Sequence, residues 1–277
     1  MLCRTSAAAV LCICITPAAV SQIAEPRETA AEAVEHHHMH AGAHFMNFPL
    51  GEQSCAPEYT YTAGPSSPAH WPGLCRTGNM QAPIDIRAAQ TLPIGKLLSF
   101  SYQPTALDVI NDCNHYRLLV RFPDNEWLKV GKKPYFLSEL HFRAPGENAV
   151  NGRRPRMSVQ LVHLDPESTI AIVEVPVVAG RENPAMKAVL AHVPEPGKEI
   201  KASEVQINVQ DFLPDDRSFY RVPGSLTTPG CNEGVTWYVM KHPIELSEAQ
   251  IDAYTRRYHD TARPLQPSHD RPVAQSD

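Results

Sequence analysis

The sequence predicts a mainly β protein in which short strands are joined by many turns. Its 26 prolines are spread along the 277 residues, and this distribution favours short strands over long helices. Many apolar runs are rich in β-branched residues and are bounded by Gly, Pro, Asn or Asp, as is typical of strands. We see no internal repeat and no linker after residue 58, so we expect one β-rich domain over residues 59–273.

The predicted strands lie between residues 96 and 243. The run over residues 169–175 is close to continuously apolar, as expected of a strand that is covered on both faces. The complete set covers residues 96–103, 107–122, 126–131, 135–144, 156–165, 169–178, 204–214, 219–228 and 235–243.

Two short helices are also predicted. Residues 183–193 place Met186, Val189 and Leu190 at helical spacing. A second helix is expected from Ser247 to about residue 260, because Ser247 and Gln250 have the spacing of a capping box. The proline-containing tail after residue 263 is expected to be extended.

The N-terminal segment has the pattern of a secretory signal. Residues 1–4 carry a positive charge, and residues 7–15 form an apolar stretch that is too short to span a membrane. Small residues follow, so cleavage is expected after Ser21 or Ala24. We therefore assign residues 1–24 to a signal peptide and residues 25–58 to a flexible arm, and we expect a secreted or periplasmic protein without a membrane span.

The arm is rich in histidine. Crowded imidazoles suit a borderline metal such as copper, zinc or nickel. The alternative is a mobile tail that binds metal weakly and has no selected role, since a flexible segment has no surrounding shell to hold ligand geometry. The residues that could bind a metal are His36, His37, His38, His40 and His44.

Four cysteines remain once the signal is removed. Cys55, Cys75, Cys113 and Cys231 form an even set in a chain directed to an oxidising compartment, which predicts disulfides. Four cysteines allow three pairings, and the spacing by itself does not choose between them.

Two neighbouring predicted strands carry an unusual polar surface. Residues two apart in a strand share a face, so His141 and Arg143 lie on one face and Phe142 on the other. In the next strand Gln160 and Val162 share a face, and His163 points away from them. If the two strands pair, the shared surface carries a histidine, an arginine and a glutamine.

Several separated motifs resemble the α-class carbonic anhydrases. They are Gln81-Ala-Pro-Ile-Asp-Ile86, His141-Phe-Arg-Ala-Pro-Gly-Glu147, Gly224-Ser-Leu-Thr-Thr-Pro229 and Arg263-Pro-Leu-Gln-Pro267. The resemblance implies a large, twisted, mostly antiparallel central sheet with short peripheral helices, and an active site in a cone that reaches the middle of the sheet. The family activity is carbonate dehydration, for which three histidines hold a zinc ion that lowers the pKa of a bound water to about 7.

Transferred residue by residue, the resemblance places the three zinc positions on His141, Arg143 and Gln160, so only one ligand is retained. The proton-shuttle position falls on Asn114, and we expect the neighbouring His115 to point elsewhere. The hydroxide-orienting threonine and its glutamate partner are present as Thr227 and Glu147. The resemblance also implies a pocket wall formed by Thr228, Val162, Ile172, Leu226 and Trp237. It implies a disulfide between Cys75 and Cys231, which leaves Cys55 and Cys113 as a second pair.

These replacements lead us to expect no zinc at the family position. Our main hypothesis is a carbonic anhydrase-like secreted protein without zinc-dependent CO₂ hydration, acting as a binding or structural module. In one interpretation Arg143 fills the vacated metal volume and pairs with Glu147. In another, Arg143, Gln160, His141 and Thr227 form a pocket for bicarbonate or a small carboxylate.

Two alternatives stay open. One is an active carbonate dehydratase with an atypical zinc site, and the other is metal capture by the arm at His36–His44. A protein partner is also compatible with a binding module. The net charge of −5 provides no basic surface for nucleic acid, and nothing in the sequence indicates an oligomeric state.

Overall fold

The structure is a computed structural model that describes residue 55, residues 57–123 and residues 125–277. The predicted signal peptide, the histidine cluster of the arm and their boundaries lie outside the described residues. No helix in the described part of the chain has the length and apolar character needed to cross a membrane.

Short strands dominate the described residues, as the proline distribution predicts. The strands are β1 (Asp85–Ile86), β2 (Leu92–Ile94), β3 (Leu98–Ser101), β4 (Thr105–Asp112), β5 (Arg117–Arg121), β6 (Trp127–Val130), β7 (Lys133–Arg143), β8 (Ala149–Val150), β9 (Met157–Leu164), β10 (Ile170–Ala179), β11 (Glu199–Ile207), β12 (Phe219–Ser225), β13 (Glu233–Met240), β14 (Ile244–Leu246) and β15 (Ala274–Ser276). The α-helices are α1 (Leu74–Thr77), α2 (Pro184–Ala191) and α3 (Glu248–Thr255), and short 3₁₀ turns cover Pro68–His70, Ala88–Gln90 and Val209–Phe212.

Thirteen of the described strands form one mixed sheet. Ten of them follow the path β11-β4-β5-β7-β9-β10-β13-β12-β15-β2, while β14 pairs with β10, β6 with β7, and β3 with β6. Most neighbours on this path are antiparallel, but β10 and β13 run parallel at its centre. Strand β10 is buried along residues 170–175, which confirms that this run is covered on both faces. The large, mostly antiparallel sheet with short peripheral helices is therefore confirmed.

Alternation along the strands divides the apolar side chains between the two faces of the sheet. On one face, Leu140, Phe142 and Leu161 belong to a large core that also receives buried residues of α2 and α3. On the other face, Ile172 and Trp237 belong to a smaller core. The smaller core lies beside the polar side chains of β7 and β9, and it forms the apolar part of the site described below.

Both predicted longer helices are present, and α3 begins at the predicted cap. The Asn183 side chain accepts a hydrogen bond from the backbone N–H of Met186 at the start of α2. At the start of α3, Ser247 and Gln250 form the capping box. Helix α3 ends at Thr255, earlier than predicted.

Two of the predicted strands were wrong in detail. Residues 107–122 form a hairpin, β4 and β5, because residues 113–116 make a turn instead of extending one strand. Residues 204–214 leave β11 after Ile207 and turn into the 3₁₀ segment Val209–Phe212, whose first turn is capped by the Asn208 side chain. The very short strands β1, β2, β8, β14 and β15 were not predicted, since two or three residues carry no readable alternation.

Two disulfides join parts of the chain that are distant in sequence. Cys75 pairs with Cys231 at a Cα–Cα distance of 5.0 Å, which confirms the pair that the resemblance implies. Cys55 pairs with Cys113 at a Cα–Cα distance of 5.5 Å, which confirms the second pair. The second disulfide attaches the segment before Tyr59 to the turn between β4 and β5.

Candidate functional site

The central cavity is a space of about 250 Å³ that is lined by side chains of the middle strands of the sheet. Its wall combines polar side chains from β5, β7 and β9 with apolar side chains from β9, β10 and β13. The polar lining residues include Arg117, Glu139, His141, Arg143, Gln160, Thr227 and Thr228, and the apolar ones include Val162, Leu164, Ile170, Ile172, Leu226 and Trp237. The cavity thus brings together the surface predicted from strand alternation and the pocket wall implied by the resemblance.

The pairing of β7 with β9 assembles the polar surface. His141 lies opposite Gln160, and Arg143 lies opposite Ser158 in the antiparallel register. All four side chains are buried. Because the partners were assigned to one face from alternation alone, this register confirms that His141, Arg143 and Gln160 share a surface.

His163 faces the opposite side of the sheet, as predicted. Its Nε2 lies 2.6 Å from the hydroxyl oxygen of Tyr102, and its Nδ1 lies 3.3 Å from the carbonyl oxygen of Ala171. Burial lowers the pKa of His163 to about 3, so the imidazole is neutral. The Tyr102 hydroxyl therefore donates to Nε2 while Nδ1–H donates to the carbonyl, and His163 belongs to the large core.

Both ring nitrogens of His141 have protein partners. Nδ1 lies 3.1 Å from Oε1 of Glu139, and Nε2 lies 2.8 Å from Oε1 of Gln160. Burial lowers the pKa of His141, so the ring is neutral and Nδ1–H donates to the Glu139 carboxylate. The lone pair of Nε2 is then satisfied by the NH₂ of Gln160 after a half-turn of its amide group, which exchanges two ends of similar shape. In either amide orientation, Gln160 covers Nε2.

A chain of charged groups extends from His141 toward the turn between β4 and β5. Nη1 of Arg117 donates to Oε1 of Glu139 at 2.8 Å, and Nε of Arg117 donates to Oδ2 of Asp112 at 2.9 Å. His115 Nδ1 lies 2.8 Å from the same Asp112 carboxylate. Although burial opposes ionisation, Arg117 and His141 hold the pKa of Glu139 at about 2. Sequence reasoning missed Arg117 and Glu139. The available signal was Glu139 itself, a charged residue two positions before His141 in the same strand and therefore on the same face.

The turn that carries Asn114 and His115 differs from expectation. His115 lines the central cavity, so the expectation that it points elsewhere was wrong. The argument assumed strand alternation, but both residues lie in a turn where successive side chains do not alternate. The ring of His115 also contacts that of Tyr59 at a centroid distance of 5.9 Å.

Arg143 forms a buried ion pair with Glu147. Nε of Arg143 lies 3.5 Å from Oε1 of Glu147, and both side chains are almost fully inaccessible to solvent. The guanidinium also lies over the ring of Tyr61, 5.4 Å from its centroid. The interpretation that Arg143 pairs with Glu147 is therefore confirmed, whereas the contact with Tyr61 was not foreseen.

The ion pair leaves hydrogen-bonding capacity unused. Nε and Nη1 of Arg143 have no hydrogen-bond partner among the described residues. Buried polar groups are nearly always hydrogen-bonded, so these atoms mark a place where an acceptor is missing. Arg143 and Gln160 are each only 1% exposed, and both line the central cavity.

The loop after β7 is held by a second buried carboxylate. Oε1 of Glu174 accepts the backbone N–H of Glu147 at 2.8 Å, and Oε2 accepts Nδ2 of Asn148 at 2.6 Å. Burial raises the pKa of Glu147 to about 7, with Arg143 opposing the rise and Glu174 adding to it. The Thr227 hydroxyl also opposes it. Glu174 was missed in an almost entirely apolar run, although a single carboxylate in such a run is itself a signal.

The segment before Trp71 closes one side of the site. Glu58 and Tyr59 line the central cavity, and Tyr59 and Tyr61 pack edge-on against Trp71. The disulfide between Cys55 and Cys113 joins the start of this segment to the turn that bears His115. Residues that are remote in sequence therefore contribute to the lining of the central cavity.

Comparisons with known proteins agree with this architecture. The family model for eukaryotic-type carbonic anhydrase matches residues 66–277. A carbonic anhydrase from Klebsiella pneumoniae is 33% identical over 217 residues, which cover 76% of this chain and 88% of the relative.

Two solved structures extend the comparison. The α-carbonic anhydrase from Thermovibrio ammonificans, in complex with the inhibitor sulfanilamide, superimposes with a TM-score of 0.74 at 32% identity, covering 80% of this chain and 100% of that one. A dioscorin in complex with ascorbate has a TM-score of 0.71 at 27% identity, covering 79% and 97%.

Proposed function

The chain belongs to the eukaryotic-type carbonic anhydrase family, and from that premise we propose that it has lost zinc-dependent CO₂ hydration and serves as a binding module for a small anion. The observation that carries the proposal is the state of His141. Its Nδ1 is engaged by Glu139 and its Nε2 by Gln160, so the one histidine at a family zinc position has no free nitrogen for a metal. Catalytic zinc needs three protein ligands and one open position.

The zinc position that Arg143 holds does not fit the metal. Arg143 has no lone pair to donate and stays charged. Two unit charges ~4 Å apart at an effective dielectric of ~20 interact by about 4 kcal/mol, so a guanidinium would repel Zn²⁺ by roughly 8 kcal/mol. Among the described residues, no group of three His, Cys, Asp or Glu side chains is arranged to hold a metal ion. The donor set therefore supports a binding role over hydration.

The retained cavity supports a role in binding. Thr227, Thr228 and the apolar wall still line a space of about 250 Å³, and Arg143 lies at its edge. A collapsed site without function would not need to keep this volume open beside buried donors that lack partners. The ligand is a small anion of the bicarbonate or carboxylate type, and a protein partner at the cavity mouth is the second form that a binding module could take.

The decisive experiment measures zinc content and CO₂ hydration of the wild type beside the double variant Arg143→His with Gln160→His. We expect the wild type to hold far less than one zinc per chain and to hydrate CO₂ at the background rate. The double variant should gain zinc and sulfonamide-sensitive activity, because it restores three imidazoles around the retained Thr227 and Glu147. A wild type that holds about one tight zinc and hydrates CO₂ would establish the alternative, an active dehydratase with an atypical site.

The histidine cluster of the arm supports a second, separable function. Its five imidazoles at His36, His37, His38, His40 and His44 could capture metal on a scaffold that does not use it for chemistry. Deletion of residues 36–46 should then remove several weak sites for copper, zinc or nickel in a titration. If the deletion leaves metal binding unchanged, this function is rejected.

We also propose that the protein is secreted or periplasmic. Two disulfides support this location, because such bonds persist in oxidising compartments. Fractionation of expressing cells, with the N-terminus of the mature chain determined by mass, tests it. A cytosolic chain that starts at residue 1 with reduced cysteines would contradict it.

A further inference from the structure

The guanidinium of Arg143 has hydrogen-bond donors that remain for a ligand, whereas Arg117 uses its donors within the protein. Arg117 already uses Nε for Asp112 and Nη1 for Glu139. Arg143 pairs with Glu147 and lies over the ring of Tyr61, but its Nε and Nη1 donate no hydrogen bond to any residue that the structure describes. The guanidinium stays charged, so each of these donors can form a charge-assisted hydrogen bond to a carboxylate oxygen. The unused donors therefore define one end of a binding site.

Much of the remaining lining of the central cavity is apolar. It is formed by Val162, Leu164, Ile170, Ile172, Leu226 and Trp237. A cavity of ~150 Å³ lined by apolar side chains can hold a benzene ring, so a space of about 250 Å³ has room for a ring together with a charged group. Bicarbonate would leave most of this wall without contact.

The charges around the cavity set a limit on the charge of the ligand. Asp112 and Glu139 contribute two carboxylates against the single guanidinium of Arg117. Glu147 already lies beside Arg143. Arg117 and Arg143 therefore already face three carboxylates, so a ligand with two negative charges, such as phosphate, is repelled more strongly than a ligand with one.

We infer that the cavity takes an organic monocarboxylate with a compact apolar body. The carboxylate pairs with Arg143, and the apolar body lies on the wall that includes Ile172, Leu226 and Trp237. The inference rests on the proposed function, since it requires that no zinc occupies the position now held by His141, Arg143 and Gln160. It specifies the ligand class that this function leaves open.

Calorimetric titration of the full chain, in buffer with EDTA, tests the inference with four probes. Benzoate represents the predicted class. Benzamide keeps the ring without the charge, bicarbonate keeps the charge without the ring, and phosphate carries a higher charge. We expect benzoate to bind at least about tenfold more tightly than each of the other three, which corresponds to about 1.4 kcal/mol.

Variants then locate the interaction. Arg143→Met should weaken benzoate binding at least about tenfold, because charge-assisted hydrogen bonds to the carboxylate are lost. Arg156→Met is the matched control, since that arginine is 56% exposed, pairs with Glu248 and is not in the cavity lining. It should leave benzoate binding unchanged. If Arg143→Met does not fold, Arg143→Lys keeps the charge, loses the planar fork and should weaken benzoate binding severalfold.

Each outcome separates this inference from the proposed function. A metal-free, inactive wild type that binds benzamide or phosphate as well as benzoate, or binds none of the probes, overturns the inference and leaves the loss of hydration standing. A wild type with zinc and hydration overturns both. Benzoate binding that survives Arg143→Met in a folded variant also overturns the inference.

Discussion

The buried histidine of β9 provides a quantitative test of how the strand is oriented. His163 is fully buried, and burial holds its pKa at about 3, well below the value of about 6.5 for an exposed histidine. The folded state therefore binds fewer protons than the unfolded state at mildly acidic pH. The stability that comes from the neutral imidazole is present above about pH 6.5 and is lost as the pH falls toward 3.

The magnitude follows from the gap between the two pKa values. At about pH 5 the pH lies ~1.5 units below the pKa of the imidazole in the unfolded chain, while the imidazole in the folded chain is still neutral. The free energy of unfolding therefore falls by about 2 kcal/mol. Substitution His163→Gln removes the titrating group. We expect the wild type to lose about 2 kcal/mol more of its free energy of unfolding between pH 7.5 and about pH 5 than the variant loses.

Urea unfolding at several pH values measures this difference, with two further variants as controls. Tyr102→Phe removes the donor to Nε2 and should cost about 1–3 kcal/mol at pH 7.5 while the dependence on pH is kept. His242→Gln changes a half-exposed histidine near Asp216 and should alter stability by no more than about 0.5 kcal/mol. Parallel pH curves for the wild type and His163→Gln would refute the placement of this side chain in the core, and with it the orientation of Gln160.

Three further predictions concern stability. Arg117→Met should lower the free energy of unfolding at pH 7 by up to about 3 kcal/mol, because Glu139 loses the main partner that holds its pKa at about 2. That stability is present above about pH 4.5 and is lost as the pH falls toward 2, so the variant should approach the wild type in acid. Equal loss at both pH values would contradict this cause. Ser247→Ala should cost about 1 kcal/mol in urea unfolding by removing the cap of α3, and no change would show that the capping box is not formed. Loss of the Cys75–Cys231 disulfide, which closes a loop between residues 156 apart, should cost up to about 5 kcal/mol, and a variant with unchanged stability would reject that contribution.

Local alternation was sufficient to predict which side chains share the site. His141 and Arg143 on one face of β7, with Phe142 on the other, follow from a two-residue repeat that holds wherever the chain is extended. The same rule placed Gln160 toward the site and His163 toward the core. It failed at His115, where the chain turns and the repeat no longer applies.

Contacts between distant segments were beyond this reasoning. Glu174, for example, lies in a strand predicted only as apolar, yet it holds the backbone of Glu147 from 27 positions away in sequence. Tyr61 lies under Arg143 because its segment packs on Trp71. Neither relation leaves a periodic trace, because each depends on how whole strands and loops come together.

The sequence by itself determined the mainly β architecture, the capping box of α3 and the strand faces on which His141, Arg143, Gln160 and His163 lie. These features depend on backbone periodicity and on bonds between near neighbours. Only the tertiary structure decided that both nitrogens of His141 are engaged, that Arg143 pairs with Glu147 at 3.5 Å, and that a cavity remains beside them. Those facts arise from packing between strands, where the distance between two side chains is set by elements that are far apart in the chain.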